Sequence, residues 1–511
     1  MKYLIPESHG TSRFSSDWRI ALMSLPRISP KALGVVTTAL ATLAAMPSAQ
    51  AQSPLAGGAP NGTGLAPSVR VSSPIGTVNF QNSSVPPLPH PEAIFDDPWG
   101  WNTWLRQHGV AILLDTTNEF AGAITSPTKG LGLRQGSSNA GQYGFENDID
   151  WEKLAGIRGF STHAVFVGRY GIPASRMFGD NLNPSQEIYG GGGNVVVHLV
   201  YIYGEETLFN GHLDIAAGRI PLLTDFSSNP LYCNFMNNAF CGNPKASSDN
   251  TSHSSYPDSN WAARVRVRPS QYTYLQAGVY FNTMGIYGVQ QMRTGFKWNG
   301  ADINGEAAPV EFGWEPIFGK DKLPGHYKLG GIVDTAPHPD VLYDINDNYW
   351  AVTGQARKVH NNSWSAYALA DQMIMRHKGN GPDAGITLLG VFYNNSPVTQ
   401  TRERQYSIGV LDRGFWKARP LDAWGVNFSY IQVSKKVKTA QEIQQSLGYQ
   451  TLLNGSFFPQ TNGMVIEAMY QIRVWRGITF APDFQYFIRP GAQQGLKDAA
   501  TLGFKSHIEI F

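Results

Sequence analysis

The stretch Trp261-Ala262-Ala263-Arg264-Val265-Arg266-Val267-Arg268-Pro269 alternates with a period of two. In an extended chain Trp261, Ala263, Val265 and Val267 fall on one side, and Arg264, Arg266 and Arg268 on the other. A soluble sandwich would bury the valines and wet the arginines, and this strand alone permits that. The pattern recurs, however. Ile466, Ala468, Tyr470, Ile472 and Val474 oppose Glu467, Gln471 and Arg473, while Phe480, Phe484, Tyr486 and Ile488 oppose Asp483, Gln485 and Arg489. Trp424, Val426, Phe428 and Tyr430 oppose Gly425, Asn427 and Ser429, and Val310, Phe312 and Trp314 oppose Glu311, Gly313 and Glu315. If every apolar edge meets lipid and every polar edge meets water, one closed transmembrane β-barrel with a wet interior accounts for all of them. An arginine facing lipid near the midplane costs roughly 2–4 kcal/mol, so three on one strand decide which side faces in.

Composition fits that reading without proving it. Of 511 residues, 15% are charged and 12% aromatic, and 54 are glycine, as many tight turns and aromatic girdles require. Net charge is +2, which gives no field of one sign for nucleic acid. Arg27 and Lys31 precede the apolar run Ala32 to Met46, and Ala49-Gln50-Ala51 supplies a small-x-small cleavage site, so residues 1–51 read as a secretory signal. The 22 residues before Met23 make it unusually long, and Met23 is a candidate start. The run is too short and too rich in Thr and Ala to span a membrane well. With no other candidate helix, any membrane crossing must use strands.

Residues 52–95, rich in Pro, Ser, Gly and Asn, read as a flexible periplasmic lead. Asp97-Pro98 reads as cap and first turn of a short aromatic helix bearing Trp99, Trp101, Trp104 and Leu105, stopped at Gly109. Residues 96–511 then form this helix plus the barrel. Sixteen strands are expected, near 112–121, 144–152, 159–170, 194–203, 211–219, 261–269, 272–282, 309–317, 326–334, 363–374, 384–393, 404–411, 423–432, 463–474, 478–488 and 501–511. A weaker stretch at 349–356 is assigned to a loop, because single-chain bacterial barrels close with an even count. Long connections such as 220–260 and 433–462 are placed on the outer side, tight ones such as Pro269-Ser270 and Arg476-Gly477 on the periplasmic side, and Ala440 to Leu447 as a helical turn. Cys233 and Cys241, in an Asn-rich loop of an exported chain, are expected to form a disulfide; metal binding by two thiols without a second pair is a poor alternative.

From about Trp99 to Phe511 the chain resembles the carbohydrate-selective porin family, OprB type, of Gram-negative outer membranes. The resemblance is carried by Asp150-Trp151-Glu152-Lys153-Leu154-Ala155-Gly156, Arg158-Gly159-Phe160, Phe178-Gly179-Asp180-Asn181, Gly218-Arg219-Ile220-Pro221, Asp225-Phe226 and the Cys233–Cys241 segment. Further on come Glu315-Pro316, Leu323-Pro324-Gly325-His326-Tyr327-Lys328-Leu329-Gly330-Gly331, Asp371-Gln372 and Pro482-Asp483-Phe484-Gln485-Tyr486. It implies a sixteen-stranded barrel, a homotrimer, and diffusion of glucose and similar sugars. It also implies that Arg219 and Asp180 anchor inward-folded loops. Two departures stand out. The family's Gly-x-Arg after Trp-Gly is replaced by Trp99-Gly100-Trp101-Asn102-Thr103-Trp104, and Phe511 falls on the opposite face from Leu502, Phe504, Ile508 and Ile510.

A porin offers a polar path with little net charge penalty. By parity Arg264, Arg266 and Arg268 line the lumen, with Tyr272, Tyr274 and Tyr280 on the next strand available for stacking on a pyranose. Glu146, Asp148, Asp150, Glu311, Glu315, Glu467 and Asp483 add acid, and Arg473 and Arg489 add base. Mixed charge in one lumen favours a neutral, hydroxyl-rich solute over an ion of either sign. The alternatives are a porin for small acids that uses the arginines as a track, a barrel hydrolase, and a soluble secreted β-protein. No Gly-x-Ser-x-Gly is present and no histidine sits with Ser and Asp in sequence, although such triads are spatial. No cofactor or metal is expected.

Overall fold

The computed structural model describes residues 93–511 apart from 189–194, 242, 249–254, 284–294, 297, 301 and 382. The signal segment and residues 52–92 of the lead lie outside the described residues. Sixteen strands form one antiparallel barrel: β1 Val110–Ala123, β2 Ser137–Asp150, β3 Phe160–Tyr170, β4 Val195–Leu208, β5 Leu213–Ile220, β6 Asn260–Ser270, β7 Thr273–Thr283, β8 Ile303–Trp314, β9 Leu323–Asp334, β10 Ser363–Arg376, β11 Gly385–Asn395, β12 Arg402–Arg413, β13 Ala423–Val433, β14 Asn462–Trp475, β15 Ile478–Ile488 and β16 Ala499–Glu509. Each overlaps one expected strand. A two-residue strand, Ile317–Phe318, pairs with the start of β9. The barrel closes between β1 and β16, with Asp115 opposite Glu509. The stretch at 349–356 holds a short helix, Trp350–Thr353, in a loop.

Sidedness follows from burial. Arg264 is 1% and Arg268 6% exposed, whereas Leu329 and Ile408 on outward faces are 65% and 63% exposed. The period-two pattern therefore puts guanidinium groups inside and aliphatic groups outside. Among the described residues no helix is long and apolar enough to cross a membrane.

Short connections gather at one end and long ones at the other. The β14–β15 turn is Arg476-Gly477, with Gly477 at φ +70°. The β6–β7 turn falls at Gln271-Tyr272 rather than Pro269-Ser270, because β6 runs on until Ser270 faces Thr273. The final strand keeps its phase: Phe504 faces Phe120, and the backbones of Ile510 and Phe511 continue bonding to Leu114.

The N-terminal helix is split. Pro98–Gly100 is a 3-10 turn, Gly100 turns left-handed at φ +78°, and Trp101–Gln107 is α-helical. Asp97 accepts hydrogen bonds from the Thr103 N–H and hydroxyl (3.0 and 2.7 Å) instead of capping one continuous helix. Gly109 ends the helix at φ +84°, where a Cβ would lie 2.5 Å from the Asp150 carbonyl. The tail of the lead is tied down, since the N–H groups of Ile94 and Phe95 donate to the carbonyls of Glu509 and Ile510.

The connection 221–259 leaves the long-loop end of the barrel and folds back into it, as the inward-folded loops implied by the family resemblance require. It turns inward and nearly every residue described in it is buried, with Leu222, Leu223, Phe226, Tyr232, Phe235 and Phe240 fully enclosed. Residues 171–188 turn inward beside it. By contrast 434–461 carries the helix Lys435–Ser446, longer than the expected turn, whose Val437 and Ala440 pack on Val341 and Leu342 of the β9–β10 connection.

Candidate functional site: the lumen and its inward-folded loops

Three carboxylates surround Arg264. Glu205 of β4 lies 3.2 Å from Nη2, Asp214 of β5 is in contact with Nη1, and Asp225 from the inward loop lies 3.1 Å from Nε. The Tyr280 hydroxyl donates to Asp225 (2.9 Å). Burying a guanidinium is tolerable only with such full pairing. Arg268 pairs with Glu315 at 2.9 Å and lies 5.1 Å from the Tyr274 ring. Arg266 differs: among the described residues it forms no ion pair, donating to the Gln276 side chain (2.7 Å) and lying over the Tyr274 ring at 5.5 Å. It is the half-buried member of the trio.

Glu311 is a hub with four donors: the Ser227 N–H (2.9 Å), the Tyr274 and Tyr367 hydroxyls (2.7 and 2.8 Å) and the Gln276 amide (2.8 Å). Glu467 accepts from the N–H groups of Met236 and Asn237 and from Asn427 (3.0 Å). Both glutamates, expected to face the lumen, hold the backbone of the inward loop against the wall. Asp483 is buried one strand away and accepts from Gln485 (2.8 Å).

Four further expectations change. Asp150 caps the helix Trp151–Ala155 through the N–H groups of Glu152 and Lys153. Tyr272 sits in the β6–β7 turn and is 39% exposed, because the turn takes it off the wall. Arg489 lies beyond β15 at φ +53°, with its N–H on Asp498, so strand parity no longer applies to it. Arg473 is half-buried beside a register shift at the end of β14, its N–H donating to Asp422 (2.9 Å).

Asp148 accepts from His163 Nδ1 at 2.6 Å, and His163 Nε2 lies 3.1 Å from the Ser161 hydroxyl. This is the bond order of a serine-hydrolase triad, which the sequence hid because register, not proximity in the chain, brings Asp148 opposite His163. Ser161 and His163 are 3% and 2% exposed, and their strand is paired on both sides, by β2 and by β4. A nucleophile needs access and amide donors aimed at an oxyanion. Glu205 lies 3.9 Å from His163 and joins this set to the Arg264 cluster.

The inward loop is also fastened through its disulfide. Cys233 and Cys241 are bonded, and Lys505 of β16 donates to the carbonyls of Cys233 and Phe235 (3.2 and 3.3 Å) while pairing with Glu119 (3.1 Å). Phe235 and Phe240 sit over two glycines of the wall. A Cβ on Gly425 would lie 2.8 Å from Phe235, and one on Gly409 3.4 Å from Phe240. At the loop's other end Arg219 donates to the Ser259 carbonyl (2.8 Å). Asp180 folds the second loop by accepting from the N–H groups of Leu182 and Asn183 (2.8 and 2.7 Å); burial raises its carboxyl above the usual range.

Residues 134–510 match the family model described as carbohydrate-selective porin, OprB family. The chain belongs to the carbohydrate-selective porin (OprB) family. It is 27% identical over 424 residues to Porin B of Pseudomonas aeruginosa, spanning 82% of this chain and 91% of that protein. A candidate porin of Acinetobacter baylyi named QuiX is 24% identical over 409 residues, 77% of this chain and 88% of its own. A high-pH structure of Pseudomonas putida OprB superposes with a TM-score of 0.75 at 26% identity, covering 82% of this chain and 99% of that one. This porin is thus an outer-membrane channel for sugars, with its charged wall and folded-in loops occupying the route.

Proposed function

We propose that this porin passes neutral monosaccharides and polyols such as glucose in preference to small acids. The observation that carries the reading is mixed charge at close range: Arg264 stands among Glu205, Asp214 and Asp225, and Arg268 pairs with Glu315. A solute crossing such a wall meets hydrogen-bonding groups of both signs, so an ion of either sign is repelled somewhere along it while a neutral sugar is not. Arg266, which among the described residues forms no ion pair and lies beside the Tyr274 ring, is the wall residue we assign to direct solute contact. Tyr280, Glu311 and Glu467 brace the wall and loop, and Arg219 and Asp180 anchor the loops. The remaining assignments are cleavage of the signal after Ala51, contact of the outward faces with outer-membrane lipid, and a homotrimeric assembly. In liposome swelling, glucose is expected to enter faster than gluconate or a dipeptide of like size, and Arg266→Ala should alter that preference while heat-modifiable migration stays normal. Equal or faster entry of gluconate would favour the small-acid porin instead.

A further inference from the structure

The N-terminal helix is amphipathic in the reverse sense to a water-facing one. Its buried residues are Asn102 and Arg106, 1% and 3% exposed, while Trp99, Trp101 and Trp104 are 85%, 61% and 57% exposed. Trp101, Trp104 and His108 follow one stripe at i, i+3 and i+7, with the Trp104 and His108 rings 4.4 Å apart and the Trp99 and Trp101 rings 5.5 Å apart. Three indoles exposed on one short segment, Trp99 against Trp101 and Trp104 against His108, are costly surface in water, and the segment is held in place. Arg476 in the β14–β15 turn pairs with Asp96 (3.0 Å) and donates to the Ile94 carbonyl (3.0 Å).

That fastening puts the helix at the short-turn end of the barrel. Other exposed indoles stand at the same end: Trp475 at the end of β14 (61%), Trp416 in the β12–β13 turn (52%) and Trp314 at the end of β8 (40%). Such a ring is what a barrel presents to the headgroup layer, where an indole keeps its face in the acyl boundary and its N–H in the polar zone. We propose that the stripe Trp99, Trp101 and Trp104 seats in the phospholipid headgroup layer at the short-turn end, extending the aromatic girdle onto a helix outside the strands. The inference rests on the outer-membrane reading above. Continuity with the girdle is what favours lipid over a second copy of the chain. The helix is then an interfacial anchor lying in the plane of the leaflet.

The test compares the intact porin with the W99F/W101F/W104F variant in phosphatidylcholine liposomes, taking the difference in tryptophan emission as the signal of those three rings. Lipid brominated at carbons 6 and 7 should quench the difference signal more than lipid brominated at 11 and 12, and acrylamide should quench it weakly. Strong acrylamide quenching with no response to bromolipid would overturn the proposal. So would insensitivity to both quenchers together with loss of a cross-linked oligomer in the variant, since that assigns the stripe to a second copy. Glucose flux is expected to be unchanged, which separates failure of this inference from failure of the sugar-channel reading. If the triple variant does not assemble, W104F alone gives the same comparison on one ring.

Discussion

The inner wall has two unlike halves. From β2 to β8 it is ionic: Asp148, His163, Glu205, Asp214, Arg264 and Glu311 form a belt to which every strand but β7 supplies a carboxylate, histidine or arginine, β7 joining through the Tyr274 hydroxyl and the Gln276 amide. From β10 to β13 it carries less charge: Leu369, Leu389, Val391 and Leu411 are buried among neutral polar side chains such as Gln405, Asn427 and Ser429, with Asp371, Arg402 and Asp412 the buried charges and Gly409 and Gly425 leaving hollows. The same inward loop touches both. It meets the first half through Asp225 on Arg264 and Ser227 on Glu311, and the second through Phe235 and Phe240 set against glycine. A loop crossing an aqueous barrel is thus held mainly by ion pairing on one side, and on the other by shape together with hydrogen bonds from Asn229 to Asp371, Tyr232 to the Gly390 carbonyl and the Ala246 N–H to Gln405. The two attachments should fail differently.

The largest effect is expected at Arg264. Arg264→Ala leaves Glu205, Asp214 and Asp225 uncompensated in a buried site, and removing one partner of a buried pair costs about 3–5 kcal/mol. Unfolding in urea, read by loss of heat-modifiable migration, should move by that amount; a change below about 1 kcal/mol would mean the cluster is hydrated and the contrast between the halves is overstated. A smaller cost is expected on the other side. Gly425→Leu fills the hollow under Phe235, an overpacking change of about 1–3 kcal/mol, and should displace the loop and raise single-channel conductance with the barrel intact. Unaltered conductance would show that shape does not hold the loop there.

The smallest effect concerns pH. Asp258, in the loop near its return to β6, is pushed up to about 8 by burial, although Arg169 and Arg219 act to lower it, and His198 lies 3.8 Å away. The unfolded chain releases that proton near 3.8, so the folded state holds it across the interval between. Stability linked to it is fully present below the unfolded value and is lost as pH rises through about 8. The urea midpoint should therefore fall between pH 6 and pH 9, and Asp258→Asn, which keeps a neutral side chain, should flatten that fall. An equal fall in both proteins would assign the titration elsewhere.

How much of this was legible follows the same division. Side-chain parity is a local property, so the Trp261–Pro269 ladder and the strands around Glu311 and Glu467 revealed the barrel and its inside without any tertiary contact. Parity fails where the strand stops: Tyr272 enters a turn, and Arg489 adopts a left-handed backbone. What a wall charge does is not local at all. Asp225 reaches Arg264 across 39 positions and Met236 reaches Glu467 across 231, so Glu311 and Glu467 read as lumen charge until the loop closes on them. In the sequence Gly425 is one more member of a polar edge with Asn427 and Ser429, and only the loop brings Phe235 over it.

The central claim is that the loop 221–259, seated inside the barrel, sets the size of the passage. The most direct measurement is the exclusion limit for a series of mono-, di- and trisaccharides in liposome swelling, comparing the native porin with the E311A/E467A variant, in which Ser227, Met236 and Asn237 lose their carboxylate acceptors. Admission of larger sugars by the variant, with strand content unchanged, is the expected result. An identical exclusion limit in the two proteins would contradict the account.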